Sequence, residues 1–379
     1  MKHDKLTLIS GSMKALTVPT DDFSSVLPPA GTLAMLDQGL AVSRGSSFDL
    51  VLDLSDPLYT FTQQVFKTEV SGRTGPTLSQ LRSYYAGTPF VSDTTLFNSS
   101  AGIQIWTVPA NGRYRIEAIG ATKYSFINGG GTDNRPKVEG TFDLIKGDKL
   151  RILVGQMAGS SSAAGAGGSF VESEKLGLLV VGGGQGGIAT TNVGITTTGK
   201  AGPYRNSVGT RFESSIALGQ AGTTGTAYSY NAYGAGCGGA GYEGSVVSET
   251  RNTTYYTIVI TGAKSFKAGG EGGRAQTSGS RDAIVTPADG GFGGGGAAAG
   301  GKDPTATGAN IPQIVGYAGG GGYTGGNGAP GTIANLNGGG GGDGGNFIAP
   351  FALAPLVSLR GASSTPRHGS VTVTLVALT

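Results

Sequence analysis

Glycine comes in runs in this chain, and the runs alternate with segments that read as β-strands. "GYAGGGGYTGGNGAPG" (316–331) is one; others are "GGGQGG" (182–187), "GAGCGGAGYEG" (234–244), "DGGFGGGGAAAGG" (289–301) and "NGGGGGDGGNF" (337–347). Glycine gives up more conformational freedom on ordering than any other residue. Such runs either stay coil or gain something that only glycine permits. The 72 glycines among 379 residues far exceed the usual share of roughly 7%. Charged residues are 13%, against about 25% in an average domain, and low charge argues against intrinsic disorder.

Alternation with strands also argues against flexible linkers, which separate domains. The remaining solution is an extended threefold helix of the polyproline II kind, with about 3.1 Å of rise per residue and no internal hydrogen bonds. When every residue is small, such helices pack closely and bond their N–H and C=O groups to one another. Gly-X-Y periodicity is not kept, so collagen is excluded. The expectation is a bundle of polyglycine II helices. Phe170, Phe292, Tyr317, Tyr323 and Phe347, at the run edges, would seal it against a neighbouring sheet.

Strand signals dominate elsewhere. In "GRYRIEAIG", Tyr114, Ile116 and Ala118 alternate with Arg113, Arg115 and Glu117, the pattern of a half-buried antiparallel strand. "GTFDLIKGDKLRILVG" reads as two strands around a tight turn at Lys146–Asp148. "LGLLVVGG" is a buried strand entering a glycine run, and "TTYYTIVIT" and "GSVTVTLVAL" are further strands. One helix is predicted within Gly75–Gly87, capped by Thr77 and carrying Leu78 and Leu81 on one face. Residues 1–59 lack glycine runs and offer the short strands "KLTLIS", "KALTVP", "GTLAML" and "SFDLVLDL". The division is therefore an N-terminal segment 1–59, read as a docking or assembly piece, and a glycine-rich β domain 60–379.

Net charge is +3 with no Lys/Arg-rich run, so the electrostatic footprint of a nucleic-acid binder is missing. No stretch nears 18 unbroken apolar residues, so no membrane span is expected, and the N-terminus has no apolar signal core. The lone Cys237 forbids an intrachain disulfide and reads as a small buried residue. Two histidines, His3 and His368, near opposite ends, leave no metal cluster and no Cys–His or Ser–His pairing to expect. Gly182, Gly184 and Gly187 follow a strand in G-x-G-x-x-G spacing. No acid follows near the position where a dinucleotide site needs one. Asp143 and Asp148 flank a turn and read as turn and strand-edge acids. No cofactor, metal or catalytic residue is expected, and the chain reads as non-enzymatic.

With strands and runs in place, a resemblance emerges. "FKTEVSGRTGPTLSQLRSYYAG" followed by "GIQIWTVPANGRYRIEAIGA" resembles the start of the glycine-rich region of the anaplastic lymphoma kinase and leukocyte tyrosine kinase receptors. "GDKLRILVGQ", "LGLLVVGGGQGG", "GGFGGGGAAAGG", "GGGGYTGGNG" and "RHGSVTVTLV" continue it in order. It implies a β-sandwich like the tumour necrosis factor fold with polyglycine helices inserted between strands. The receptors' paired cysteines are missing here, and so is any kinase region, so the receptor function does not carry over. Similar glycine-rich modules occur in bacterial and bacteriophage proteins, and polyglycine-helix bundles resemble the tip adhesins of some tailed phages.

"TAYSYNAYGAGCGGAGYEG" gathers Tyr228, Tyr230, Tyr233 and Tyr242, with Tyr255 and Tyr256 nearby. Tyrosine gives large contact area at low entropy cost. Tyr228, Tyr230 and Tyr233 precede a glycine run where a loop tip would project, and they are the candidate ligand-binding residues; packing between loop and bundle is the other reading. The expectation is a phage virion protein of the tail, fibre or tip, made in the host cytoplasm. Its N-terminal segment would dock to other virion proteins in a symmetric assembly. Its tip would bind a host glycan or outer-membrane protein. A purely structural virion component and a bacterial surface adhesin remain open.

Overall fold

The computed structural model describes residues 5–9, 15–19, 33–36, 39–43, 48–53, 57–122, 135–159, 163–187, 232–252, 256–279, 284–302, 313–328, 331–332, 341–359 and 368–378. The chain is mainly β. Its first five strands are β1 (Lys5–Ile9), β2 (Ala15–Pro19), β3 (Leu33–Leu36), β4 (Gly39–Ser43) and β5 (Phe48–Asp53), in one antiparallel sheet of order β2-β1-β3-β4-β5. Four of these coincide with the N-terminal runs predicted from sequence. β4, with a glycine at its start and few large apolar residues, carries a weaker signal.

The chain continues through β6 (Gln63–Phe66), α1 (Leu78–Tyr84), β7 (Phe97–Ser100), β8 (Ile103–Thr107), β9 (Gly112–Ile119), β10 (Pro136–Leu144), β11 (Lys149–Leu153), β12 (Ser169–Ser173) and β13 (Gly177–Gly182). After these come β14 (Ala232–Gly236), β15 (Glu249–Asn252), β16 (Tyr256–Thr261), β17 (Arg274–Gly279), β18 (Ile284–Ala288), β19 (Ala298–Lys302), β20 (Gln313–Val315) and β21 (Gly331–Thr332). β22 (Phe347–Ile348), β23 (Leu353–Leu359) and β24 (Ser370–Leu378) close the chain.

Two antiparallel sheets, β23-β10-β9-β24-β6 and β22-β13-β12-β11-β8-β7, face each other. Tyr114, Ile116, Val138, Phe142, Val371 and Val373 from one meet Trp106, Leu150, Ile152, Val171 and Val180 from the other in a single buried cluster. Each large apolar side chain buried this way contributes about 1.5–3 kcal/mol. The period-2 alternation of β9 does what its residues dictate: Tyr114 and Ile116 are buried, while Arg113 and Arg115 are exposed. The Lys146–Asp148 turn forms, with Gly147 at φ +81°, but it carries the chain from one sheet to the other. β10 and β11 therefore do not pair as a hairpin. α1 starts where predicted: Thr77 and Gln80 form a reciprocal capping box, and Leu81 is buried.

The glycine runs bond in a different pattern. In 318–323, successive N–H groups donate to Ala163 O (2.8 Å), Cys237 O (2.9 Å), Gly342 O (2.9 Å), Ala166 O (3.0 Å), Ala240 O (3.2 Å) and Gly345 O (2.8 Å). Three partner segments are met in rotation, and each is met again three residues later, three residues further on. A β-strand returns to the same side every two residues, and an α-helix bonds to itself. Carbonyls of 318–323 accept from Gly187, Gly296, Gly326, Gly184 and Tyr242. The segment thus lies among pieces of chain around 163–166, 184–187, 237–242, 296, 326 and 342–345. A Cβ at Gly320 or Gly321 would fall under 3.0 Å from backbone of Gly184–Gln185 or Gly293–Gly294.

A small-residue core surrounds these segments. Ala235, Cys237, Ala297 and Ala299 pack with Ile258, Ile260 and Ala275 of the β15-β16-β17 sheet. Cys237 is fully buried, as its isolation in the sequence implied.

Overpacking against backbone costs about 1–3 kcal/mol, at the upper end when no side chain can move aside. Gly320→Ala and Gly321→Ala should each lower the urea midpoint accordingly. Gly159→Ala, whose Cβ would meet only the Gly72 Cα at 3.9 Å, should be neutral or stabilise by up to about 1 kcal/mol. Urea unfolding of the three variants checks the contrast.

Candidate functional site

The sandwich joins the glycine segments through an aromatic ladder. Phe170 of β12 stacks on Phe266 (ring centroids 5.1 Å), Phe266 on Tyr242 (5.7 Å), and Tyr242 meets Tyr323 (6.3 Å), which meets Phe347 of β22 (4.5 Å). Phe292 lies in the same buried cluster. Phe170, Phe292, Tyr323 and Phe347 therefore occupy the sealing position expected of them. Tyr317 does not; it packs with Ala158, Ala163, Ala164 and Ala318.

Glu172, 5% exposed, is the polar hub of the ladder. It accepts from the Tyr242 hydroxyl, the Lys267 ammonium and Arg151 Nη1 (2.8 Å). Burial alone would raise its pKa, but the hydrogen bonds from Lys267 and Tyr242 and the nearby cationic charges hold the carboxyl below its ordinary range. Burial, reinforced by Glu172, keeps the Tyr242 hydroxyl protonated well into the alkaline range. Arg151 lies over Phe266 and Lys267 over Tyr242, each 5.0 Å from the ring centroid.

A second junction is the loop 68–74. The end of the buried Gln156 amide that faces the carbonyls of Gly72 (3.0 Å), Thr74 (3.1 Å) and Val70 (3.2 Å) is assigned as the nitrogen because only acceptors surround it, and its oxygen then accepts from the Thr68 hydroxyl (3.3 Å). Gly72 N–H donates to Met157 O (3.0 Å), Phe292 N–H to Gly72 O (2.7 Å) and Gly272 N–H to Arg73 O (2.8 Å). His368 closes the lacing. Its Nδ1 accepts from the Met157 N–H (3.3 Å), which puts the ring proton on Nε2, 3.5 Å from Ser71 Oγ. A general base needs that nitrogen unprotonated, so this serine–histidine approach is built as a clamp. The His368 carbonyl accepts from the fully buried Arg135 (3.0 Å).

Beside this loop lies an open depression of ≈ 660 Å³. Gly72, Gly159, Arg73, Arg274, Gln276, Thr277 and Asp289 line it, with Ala275 and Pro287 as its apolar members. Arg73 pairs with Glu271 (2.8 Å), which Lys264 also reaches (2.7 Å). Asp289 Oδ1 accepts from the Ala275 N–H (3.0 Å). Arg274 and Gln276 are exposed. The sequence offered no signal for this grouping: Arg73 and Arg274 are distant in the chain, and neither belongs to a motif.

The structure places the other candidates as follows. Tyr228 and Tyr230 lie outside the described residues. Tyr233 falls within strand β14, not in a loop preceding the run, and its side chain is outside the described residues. Tyr242, part of the same sequence cluster, is buried in the ladder. The G-x-G-x-x-G amides are already committed: Gly184 donates to Gly321 O, Gly187 to Ala318 O, Gly183 to Asn346 Oδ1 and Gly186 to Asp343 Oδ1. None of these four is left to cradle a phosphate. Asp143 pairs with Arg113, whereas Asp148 is buried and accepts from Ser173. Among the described residues no three His, Cys, Asp or Glu gather as a metal site, and no helix is long and apolar enough to cross a membrane.

No family model matches the chain. Over 120 residues, 30% of this chain, it is 32% identical to the mouse (Mus musculus) leukocyte tyrosine kinase receptor, of which the match covers 13%.

His368 supplies the pH test. Burial first, then the Arg135 guanidinium, holds its imidazole below the ordinary 6.5, against a weaker pull from Glu69. Below pH 6.5 the unfolded chain therefore binds a proton that the folded chain resists. The clamp's contribution is complete above that pH and is lost as pH falls through the folded-state value, with a slope of at most about 1.4 kcal/mol per pH unit. His368→Asn keeps an acceptor without the titration. Thermal melts between pH 7 and 5 should show the wild type falling more steeply than H368N.

Proposed function

We propose that this chain is a non-enzymatic display module of a phage virion, at a tail, fibre or tip, that carries a binding surface to the host. The rotation of 318–323 through its partners with a period of three residues is the observation behind this reading. We read these segments as polyglycine II helices, and the two facing sheets as a tumour necrosis factor-like sandwich. A core built from backbone leaves no room for catalytic side chains and makes a stiff spacer. Stiffness suits a part that must transmit contact from a surface to a particle. In this reading the β1–β5 sheet docks onto other virion proteins in a symmetric assembly, and the far end meets a host glycan or outer-membrane protein.

The test is adsorption of the purified full chain to whole host cells, alongside the variant with Tyr228, Tyr230 and Tyr233 all changed to alanine. Saturable adsorption is expected, weakened at least about tenfold in the triple variant if those tyrosines make the contact. Absence of adsorption by a chain that mass spectrometry finds stoichiometric in virions would overturn host binding and leave a structural role.

A further inference from the structure

We propose that the depression between loop 70–75 and strands β17–β18 binds an acidic saccharide, with its carboxylate set against Arg274. The inference deepens the host-surface reading by naming the ligand class, and it rests on that reading for its biological context.

Ala275 and Pro287 are the apolar residues lining the depression, and its other members are glycine or polar. An apolar ligand would bury little surface there. Gly72 and Gly159 contribute no side chains, so one face of a sugar ring can lie against backbone. Around them lie Arg274, Gln276, Thr277 and Asp289, residues that between them carry hydrogen-bond donors and acceptors. Adjacent sugar hydroxyls, each at once donor and acceptor, need such a mixture.

The charge then selects among saccharides. Arg73, Lys264 and Arg274 stand against Glu271 and Asp289, three cations to two carboxylates. Glu271 is shared by Arg73 and Lys264, and the Arg274 side chain makes no ion pair or hydrogen bond among the described residues. Arg73 Nε is buried without a hydrogen-bond partner. Arg73 already has Glu271 as its anionic partner, so Arg274 is the guanidinium at the depression that still lacks one among the described residues. A guanidinium fork matches a carboxylate with two parallel hydrogen bonds. Asp289 opposes a dianionic phosphate more strongly than a single carboxylate among hydroxyls, which favours the sugar acid.

Calorimetric titration of the full chain with tetragalacturonate, and with its neutral methyl ester of nearly the same shape, tests this. The acid should bind at least about tenfold more tightly at low salt, and the difference should shrink as salt is raised. Arg274→Ala should remove most of that preference and Arg274→Lys only part. Arg274 is exposed, so the melting temperature of both variants should match the wild type. Equal binding of acid and ester, or an R274A chain that binds the acid like wild type, would overturn the assignment. Adsorption of R274A to host cells separates the two readings. Saccharide binding without any cell adsorption would uphold the site and sink host attachment. Wild-type cell adsorption by an R274A chain that has lost the acid preference would uphold the site and place host attachment elsewhere on the chain.

Discussion

Backbone-to-backbone hydrogen bonding between chain segments is the constraint from which the rest of the structure follows. An ordinary core is held by apolar side chains, and its backbone is satisfied within helices or sheets. Around 318–323 the two tasks are merged. The same N–H and C=O groups that must be satisfied on burial are also the contacts between neighbours. That arrangement works only where carbonyl oxygens can approach Cα directly, as Gly184 does toward Gly320 and Gly293 toward Gly321. Alanine survives at Ala163, Ala166, Ala240 and Ala318 within the bonded segments, and the larger Gln185, Cys237 and Asp343 are accommodated there too.

Such a core has little side-chain grip on its surroundings, so the joints to the sandwich carry the specificity. They are of two kinds. The ladder from Phe170 to Phe347 supplies apolar area, and Glu172 fixes its register through three donors on three different segments. Removing one partner from such a buried charged group leaves the others uncompensated, a far larger effect than loss of an exposed ion pair. The loop 68–74 instead uses Gln156, Arg135 and His368, polar groups that bond to carbonyls and amides. Arg73 links this loop to the depression, so the candidate ligand site sits on a stiff joint and not on a free loop.

Much of this was legible in the residues. The alternation of β9, the capping box at Thr77 and the burial of Cys237 follow from local rules that the structure obeys. The role of Phe170, Phe292, Tyr323 and Phe347 was readable because aromatics at the edge of a side-chain-free core have one apolar neighbour to cover. Tyr317 misled because an alanine cluster competes for it. The Lys146–Asp148 turn was visible, but its partners were not: a tight turn looks the same whether the strands it joins pair or part into two sheets. The depression was illegible for a related reason. Arg73, Arg274 and Asp289 are brought together by how the loop and β17–β18 lie against the glycine segments, and no local pattern encodes that.

The position of 318–323 in the chain has a consequence for synthesis. Its partners are spread from Ala163 to Gly345, so almost every contact that holds it closes a long loop. Long-range contacts of this kind make folding slow and late. The segment cannot be enclosed until residues 342–345 have emerged, when most of the chain already exists. Until then the earlier glycine segments have only part of their partners, those they find in one another, such as Ala166 on Gln185 and Gly165 on Gly296. Folding should end in one concerted closure. The reverse process must break the same ring of bonds together, so the finished molecule should be durable chiefly because it comes apart slowly.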